Sequence, residues 1–176
     1  MDRDTFSQVF MIPSSTVSSG FTFSSNWQGF ELRQNGQLVA TLKRPGVWSS
    51  DFTATTPDGD WVFHRSGFWG NKGEIRDASS QQQLAVFKSG WGGKGELKFA
   101  DGQTFFLITR GCWHPIWTVT NQTGQPVLSL HTQEKLVEVC EDSAVPPNRL
   151  SPLVLFTLYR VRQAEEAAAV AAAAAS

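Results

Sequence analysis

The chain has 176 residues, of which 40% are hydrophobic, and it carries 15 lysines and arginines against 16 acidic residues. A chain of this length is expected to form one domain, because single hydrophobic cores grow to about 250 residues before chains divide. The net charge of −1 gives no overall attraction to nucleic acids or membranes, although charges of one sign can still gather on one face.

The N-terminal segment MDRDTFSQVFMIPSS has acidic residues near its start and no apolar run of signal-peptide length. The two cysteines, Cys112 and Cys140, are too few for a disulfide framework and are compatible with a reducing compartment. We therefore expect a cytoplasmic protein.

A short motif recurs four times after this segment, as LKRPGVW, FHRSGFW, FKSGW and ITRGCW. The motifs end at Trp48, Trp69, Trp91 and Trp113, at steps of 21, 22 and 22 residues. A second series of signals alternates with them: Asn35-Gly36, Asp58-Gly59, the run DASSQQQ from Asp77, Asp101-Gly102 and Thr123-Gly124. These residues form tight turns or accept a positive φ, so each repeat contains two turns.

A repeat of 22 residues with two turns leaves room for two strands of about 6 to 8 residues. The tracts between the turns alternate between apolar and polar residues, as strands do: QLVATLK, DWVFHR, QLAVFK, GELKFA, QTFFLITR, IWTVT, PVLSLH and KLVEVC. The repeat is too short for a four-stranded propeller blade, and it lacks the constant core positions of a solenoid. We predict a mainly β fold, a closed antiparallel meander barrel of about 10 to 12 strands.

The segment LSPLVLFTLYRV, residues 150–161, is apolar on all sides and reads as a helix with Ser151 as N-cap and Pro152 at its first position. Its roughly 18 Å length is too short to cross a membrane, so we expect no transmembrane span. We predict that this helix, about 151–162, lies along the barrel axis and buries Leu153, Leu155, Phe156, Leu158 and Tyr159. The domain then covers 1–162, and residues 163–176 form an Ala-rich tail, helical or disordered.

The order of these features resembles the tubby C-terminal-like superfamily, which includes LURP-one-related proteins and phospholipid scramblases. The likeness runs from about Val9 to Val161 and ends in the strand KLVEVC, the acidic break EDSAVPPNR and the apolar helix. It implies a twelve-stranded barrel around a C-terminal hydrophobic helix and work at membranes, since tubby domains bind phosphoinositides. Scramblases bind calcium through several aspartates before the helix. Here only Glu141 and Asp142 stand in that region, so no calcium ligands are assigned.

The sequence contains no motif that predicts a catalytic, cofactor-binding or metal-binding site. Cys112 and His114 lie in GCWHP, but His64, His131 and Cys140 do not supply the paired spacing of a zinc site. The glycines of GWGGKGE lack the context of a phosphate-binding loop and are interpreted as turn residues. We therefore predict a non-enzymatic protein with no cofactor and no metal.

Charge is unevenly distributed along the meander, because successive turns fall at opposite ends of the barrel. The Gly-x-Trp end collects basic and tryptophan residues: Lys43, Arg44, Arg65, Lys72, Lys88, Lys94, Arg110, Trp48, Trp69, Trp91 and Trp113. The other end carries Asp58, Asp60, Asp77 and Asp101. Such a rim suits anionic lipid headgroups, and it also suits a nucleic-acid backbone, the less favoured partner.

Three interpretations of this rim stay open at this point. In the first, the protein is a peripheral membrane module that binds anionic lipid. In the second, the tryptophans point inward and the lysines only solubilise the rim, whose basic field Glu74 and Glu96 weaken. In the third, the barrel is a structural or protein-interaction domain of the LURP-one-related type with no lipid ligand.

Overall fold

The computed structural model describes residues 17–46, 49–66, 71–90, 94–140 and 145–175. These residues form twelve β-strands followed by one long helix. The elements are β1 Val17–Asn26, β2 Gly29–Gln34, β3 Gln37–Lys43, β4 Phe52–Thr56, β5 Gly59–Ser66, β6 Lys72–Asp77, β7 Gln83–Ser89, β8 Lys94–Phe99, β9 Thr104–Arg110, β10 Ile116–Thr120, β11 Pro126–His131, β12 Leu136–Cys140 and α1 Pro147–Ala174.

The strands form a closed antiparallel barrel. Each strand pairs with its neighbours in sequence, and β1 pairs with β12, for instance at Phe21 and Val137, which closes the sheet. The predicted meander barrel is confirmed, with strands on all eight of the alternating tracts. Closure leaves no unpaired strand edge, which explains why a meander of this length is stable without a second sheet.

Alternation along each strand separates the core from the surface. On β7, Ala85 and Phe87 face inward and Lys88 is exposed, and on β8, Leu97 faces inward while Glu96 and Lys98 are exposed. The turns also follow the sequence signals. Asn35 and Gly36 have φ of 51° and 79°, the left-handed pair that a two-residue hairpin between β2 and β3 requires.

The helix exists as predicted, but its predicted N-cap is wrong. It begins at Pro147 with Pro146 as the cap residue, so Ser151 and Pro152 lie inside it. Pro147 supplies the same first-position signal five residues before Pro152. Ser151 instead donates a hydrogen bond from Oγ to Asp58 Oδ2 at 3.1 Å. The helix continues to Ala174, so the Ala-rich tail is helical.

The helix fills the barrel. Leu153, Leu155, Phe156, Leu158 and Tyr159 are at most 2% exposed, which confirms their predicted burial. Among barrel residues, Phe63 and Phe87 place their ring centroids 6.2 and 5.0 Å from that of Phe156. Full burial of such a side chain stabilises a fold by about 1.5–3 kcal/mol, so the helix is the core of the domain.

The glycines of GWGGKGE are only partly turn residues. The amide of Gly90 donates to the Lys94 carbonyl at 2.7 Å and closes the β7–β8 turn. Gly95, in contrast, lies within β8 and is buried, so its interpretation as a turn residue is wrong. Gly92 and Gly93 lie outside the described residues.

Candidate functional site

Strand order fixes which loops share an end of the barrel. We call one end the tryptophan end; there the chain passes from β1 to β2, from β3 to β4, from β5 to β6, from β7 to β8, from β9 to β10 and from β11 to β12. The opposite end carries the remaining turns and the start of the helix, since β12 finishes there. The helix therefore runs toward the tryptophan end, where residues 164, 165 and 167–175 are exposed.

The basic residues of the tryptophan end divide into two groups by the face of the strand they occupy. The residues of one group are exposed, and each is next to an inward-facing residue of its strand. Since side chains alternate along a strand, this group lies on the outer surface. We call it the outer basic collar: Lys43, Lys72, Lys88, Lys94 and Arg110. No member forms an ion pair with another described residue. Lys72, Lys88 and Lys94 lie at strand ends rather than in turns.

The collar places like charges next to one another. Lys72 and Lys88 are direct partners on β6 and β7. Like charges in this position oppose folding by a fraction of a kcal/mol. On the other side of Lys88, Glu96 is its partner on β8 and partly offsets its charge, whereas Glu74 forms an ion pair with Arg76 at 2.6 Å. Of the two predicted weakening acids, Glu96 is the one beside the collar.

The second group faces the barrel interior. Arg65 continues the inward series of Trp61 and Phe63 on β5, and Arg44 continues that of Leu42. The helix adds two arginines at the same end, and sequence reasoning did not assign these to the rim. We call the four the inner arginine cluster: Arg44, Arg65, Arg160 and Arg162.

Three members of this cluster stack on aromatic residues of the core. The guanidinium carbons of Arg44, Arg160 and Arg162 lie 4.8, 4.6 and 4.8 Å from ring centroids. Those rings belong to Phe52, Phe87 and Phe30, respectively. The arginines thus cover the core at the mouth of the barrel with partly buried side chains.

Two of the stacked arginines have acidic partners. Arg44 Nη2 lies 2.6 Å from Glu166 Oε1, and Arg162 Nη1 lies 3.3 Å from Glu165 Oε2. Arg162 also donates to the carbonyl of Asn26 at 2.6 Å. The contacts of Arg162 with Asn26 and of Glu166 with Arg44 anchor the helix to the rim at the end of β1 and directly after β3.

Arg160 has only neutral partners among the described residues. Its Nη2 donates to Ser89 Oγ at 3.2 Å, and its Nη1 donates to Gln163 Oε1. Gln163 Nε2 in turn donates to Tyr159 Oη at 2.6 Å. Burial lowers the pKa of Arg160, and the positive charge of Arg65 lowers that pKa further.

The structure describes only some of the tryptophans of this end. Trp113 is 91% exposed in the β9–β10 loop, so it does not point inward. Trp27, which the repeat did not include, is 75% exposed in the β1–β2 turn at the same end. Trp48, Trp69 and Trp91 lie outside the described residues.

The aspartates of the opposite end bind the start of the helix or stabilise their own turn. Asp101 forms an ion pair with Arg149 at 2.8 Å, and Asp58 accepts from Ser151, so both hold the start of the helix. Asp77 Oδ1 accepts four hydrogen bonds from Ser79 and Ser80 within its turn. These hydrogen bonds, led by that of the Ser79 hydroxyl, lower the pKa of Asp77 to about 2.

Candidate catalytic and metal-binding groups are dispersed. Cys112 is an exposed free thiol, and the described residues contain no group of three side chains that could hold a metal ion. Two histidine–carboxylate pairs lie on the outer surface, His64–Asp51 at 2.6 Å and His131–Glu138 at 3.2 Å. An open groove of about 360 Å³ between β7 and β8, lined in part by Lys88, Glu96 and Lys98, borders the collar.

Comparison with known proteins supports the fold. The X-ray structure of a protein from Arabidopsis thaliana, AT5G01750, is similar with a TM-score of 0.55 and 14% sequence identity, over 79% of this chain and 88% of that chain. At this identity the similarity concerns the fold alone. No protein-family model matches the sequence, and no curated protein matches it significantly. No helix in the described part of the chain has the length and hydrophobicity needed to cross a membrane.

Proposed function

We propose that this barrel is a non-enzymatic binding module for anionic phospholipid headgroups at a membrane surface. The carrying observation is the outer basic collar, whose five side chains are exposed and form no ion pair with other described residues. Basic residues near an acidic membrane surface each contribute about 1 kcal/mol of binding. The collar thus offers an attraction that the net charge of −1 conceals.

The exposed tryptophans are compatible with a membrane as the anionic partner. Trp27 and Trp113 lie on the loops of the same end, and tryptophan favours the boundary between headgroups and acyl chains. A nucleic-acid backbone would use the same cations, with tryptophans as stacking platforms. The cytoplasmic leaflet carries the anionic lipids in cells, so the proposal includes a cytoplasmic, peripheral location.

We also propose membership in the tubby C-terminal-like superfamily, among the LURP-one-related proteins. Support comes from the closed twelve-stranded barrel around a C-terminal helix and from the fold shared with the Arabidopsis protein. Both concern architecture, so the lipid proposal rests on the collar and not on this membership.

Vesicle co-sedimentation tests the function directly. The full chain is mixed with neutral phosphatidylcholine vesicles and with vesicles that also contain phosphatidylserine, each at low and at physiological salt. We expect binding to the acidic vesicles alone and a steep loss with salt, because exposed charges are screened over about 8 Å at physiological ionic strength. If the chain ignores acidic vesicles at low salt, the protein-interaction interpretation takes the place of this one.

A further inference from the structure

The hairpin of β9 and β10 ends in exposed apolar side chains at the tryptophan end. Trp113 lies in its loop and Ile116 begins β10, and both are among the exposed large apolar side chains in the described part of the chain. We call residues 110–116 the hairpin tip. A single exposed apolar residue is common on protein surfaces, but two at one loop, beside a cation, indicate an interaction site.

The hairpin tip is basic as well as apolar. Arg110, a member of the outer basic collar, is the cross-strand partner of Ile116, so a cation lies beside the apolar side chain. The sequence has no aspartate or glutamate between Asp101 and Glu134, a segment that includes β9, β10 and β11. In the neighbouring β11–β12 loop, Lys135 follows Glu134 and offsets its charge. This combination suits a partner that has negative charge at its surface and an apolar interior.

The hairpin tip is held in place by its own backbone and by the next loop. Gly111 has a φ of 90°, and a Cβ there would lie 3.1 Å from the carbonyl oxygen of His114, so the chain turns tightly at this point. Thr132 Oγ1, in the β11–β12 loop, donates a hydrogen bond to the carbonyl of Pro115 at 3.0 Å. A tip that is already ordered loses little conformational entropy when it binds, which favours affinity.

We propose that the hairpin tip penetrates an acidic bilayer, with Trp113 and Ile116 at the boundary between headgroups and acyl chains and Arg110 at the lipid phosphates. Tryptophan favours that boundary, and arginine donates two parallel hydrogen bonds to a phosphate. This inference rests on the proposed function and deepens it, because the outer basic collar attracts the protein to the membrane and the tip then anchors it. Salt screens the charges of the collar but leaves the burial of apolar surface almost unchanged, so the two contributions can be separated.

The test measures affinity and penetration separately on the full chain. Trp113→Gln should bind phosphatidylserine vesicles about tenfold more weakly than the wild type at low salt, the scale of one buried aromatic side chain. Penetration is measured with phosphatidylserine vesicles whose phosphatidylcholine is brominated along its acyl chains, because bromine quenches tryptophan fluorescence at short range. We expect quenching of the wild type. Ile116→Gln keeps Trp113 as the reporter and should lose most of this quenching, even with vesicles in excess.

Leu38→Gln is the matched control for Ile116→Gln. Leu38 is an exposed apolar residue of β3 beside the β2–β3 turn, at the opposite end of the barrel. The substitution therefore removes a side chain of the same size from a surface strand that the proposal keeps away from the membrane. Leu38→Gln should bind and be quenched as the wild type is. The melting temperatures of all three variants should stay close to that of the wild type, because the three side chains are exposed.

The outcomes separate this inference from the proposed function. If the wild type and Trp113→Gln bind acidic vesicles equally and brominated acyl chains do not quench, the tip does not penetrate and the collar proposal stands. If the wild type ignores acidic vesicles at low salt, both proposals fail. Equal losses for Leu38→Gln and Ile116→Gln would also overturn the role of the tip. Self-association of the wild type in analytical ultracentrifugation that Ile116→Gln removes, without quenching, would assign the tip to a protein contact and overturn penetration.

Discussion

Gly95 on β8 lies directly against the ring of Phe87 on β7. A Cβ added to Gly95 would fall 2.2 Å from a ring atom of Phe87, well inside van der Waals contact. The same ring lies 5.0 Å from that of Phe156 and 4.6 Å beneath the guanidinium of Arg160. Because position 95 is glycine, the Phe87 ring can contact the barrel wall, the helix and Arg160 at the mouth at the same time.

Gly95→Ala should therefore destabilise the protein by about 1–3 kcal/mol, the usual cost of overpacking a core. The free energy of unfolding from urea titration measures this effect. Gly46→Ala is the control, because a Cβ at Gly46 has nothing within 4 Å, and it should leave stability nearly unchanged. An alanine at 95 as stable as wild type would contradict the close contact.

Truncation should separate the core of the helix from its projecting end. Removal of 167–176 leaves the Arg44–Glu166 ion pair in place and deletes exposed residues, so stability should change by less than about 0.5 kcal/mol. Removal of 150–176 takes the apolar filling out of the barrel and should give an insoluble or molten product. Cooperative melting of the longer truncation would contradict a core built on the helix.

Acid should weaken the Asp77 turn in a defined pH window. The folded-state pKa of Asp77 is about 2, below its model-peptide value of 3.8, so the ionised carboxylate stabilises the folded state. That stabilisation is complete above about pH 5 and is lost as the pH falls through 3.8 and past 2. Asp77→Asn should be less stable than wild type at neutral pH, and the difference should shrink steadily as the pH falls to 2. Unfolding titrations from pH 2 to 6 measure this, and a difference independent of pH would contradict it.

Strands, turns and the buried helix could be predicted because each depends on local pattern. Alternation in tracts such as QLAVFK and the Asn35-Gly36 pair dictate strand and turn without tertiary information. The helix start was missed because both Pro147 and Pro152 satisfy the rule for a first helical residue. The choice depends on where β12 ends and on the contact of Ser151 with Asp58.

The inner arginine cluster was missed because its members come from separate parts of the chain. Arg65 was assigned to the rim, but its inward direction depends on its phase with Trp61 and Phe63, a signal present in WVFHR. Arg160 lies at the tryptophan end because of the number of strands. After an even number of strands the chain is at the opposite end, so the helix runs from there toward the tryptophan end. Counting the strands would have placed it there. Trp27 was missed because its turn precedes the first repeat.

The collar predicts a matched pair of charge reversals on one strand. Lys94 and Lys98 are both exposed on the outer face of β8, roughly 13 Å apart, with Lys94 at the tryptophan end. Lys94→Glu should weaken binding to phosphatidylserine vesicles, and the triple reversal of Lys72, Lys88 and Lys94 to Glu should abolish it. Lys98→Glu, with the same change of charge, should bind as wild type does.

Melting temperatures of the variants show whether a loss of binding comes from the changed charge or from lower stability. All four lysines are exposed, so each reversal should change stability by no more than about 0.5 kcal/mol. Asp101 is unsuitable as a control at the far end, because its reversal would break the ion pair with Arg149 and loosen the start of the helix. Equal losses for Lys94→Glu and Lys98→Glu would assign the attraction to the whole outer surface. Retained binding by the triple variant would remove the collar from the mechanism, since its three central cations would then carry no part of the affinity.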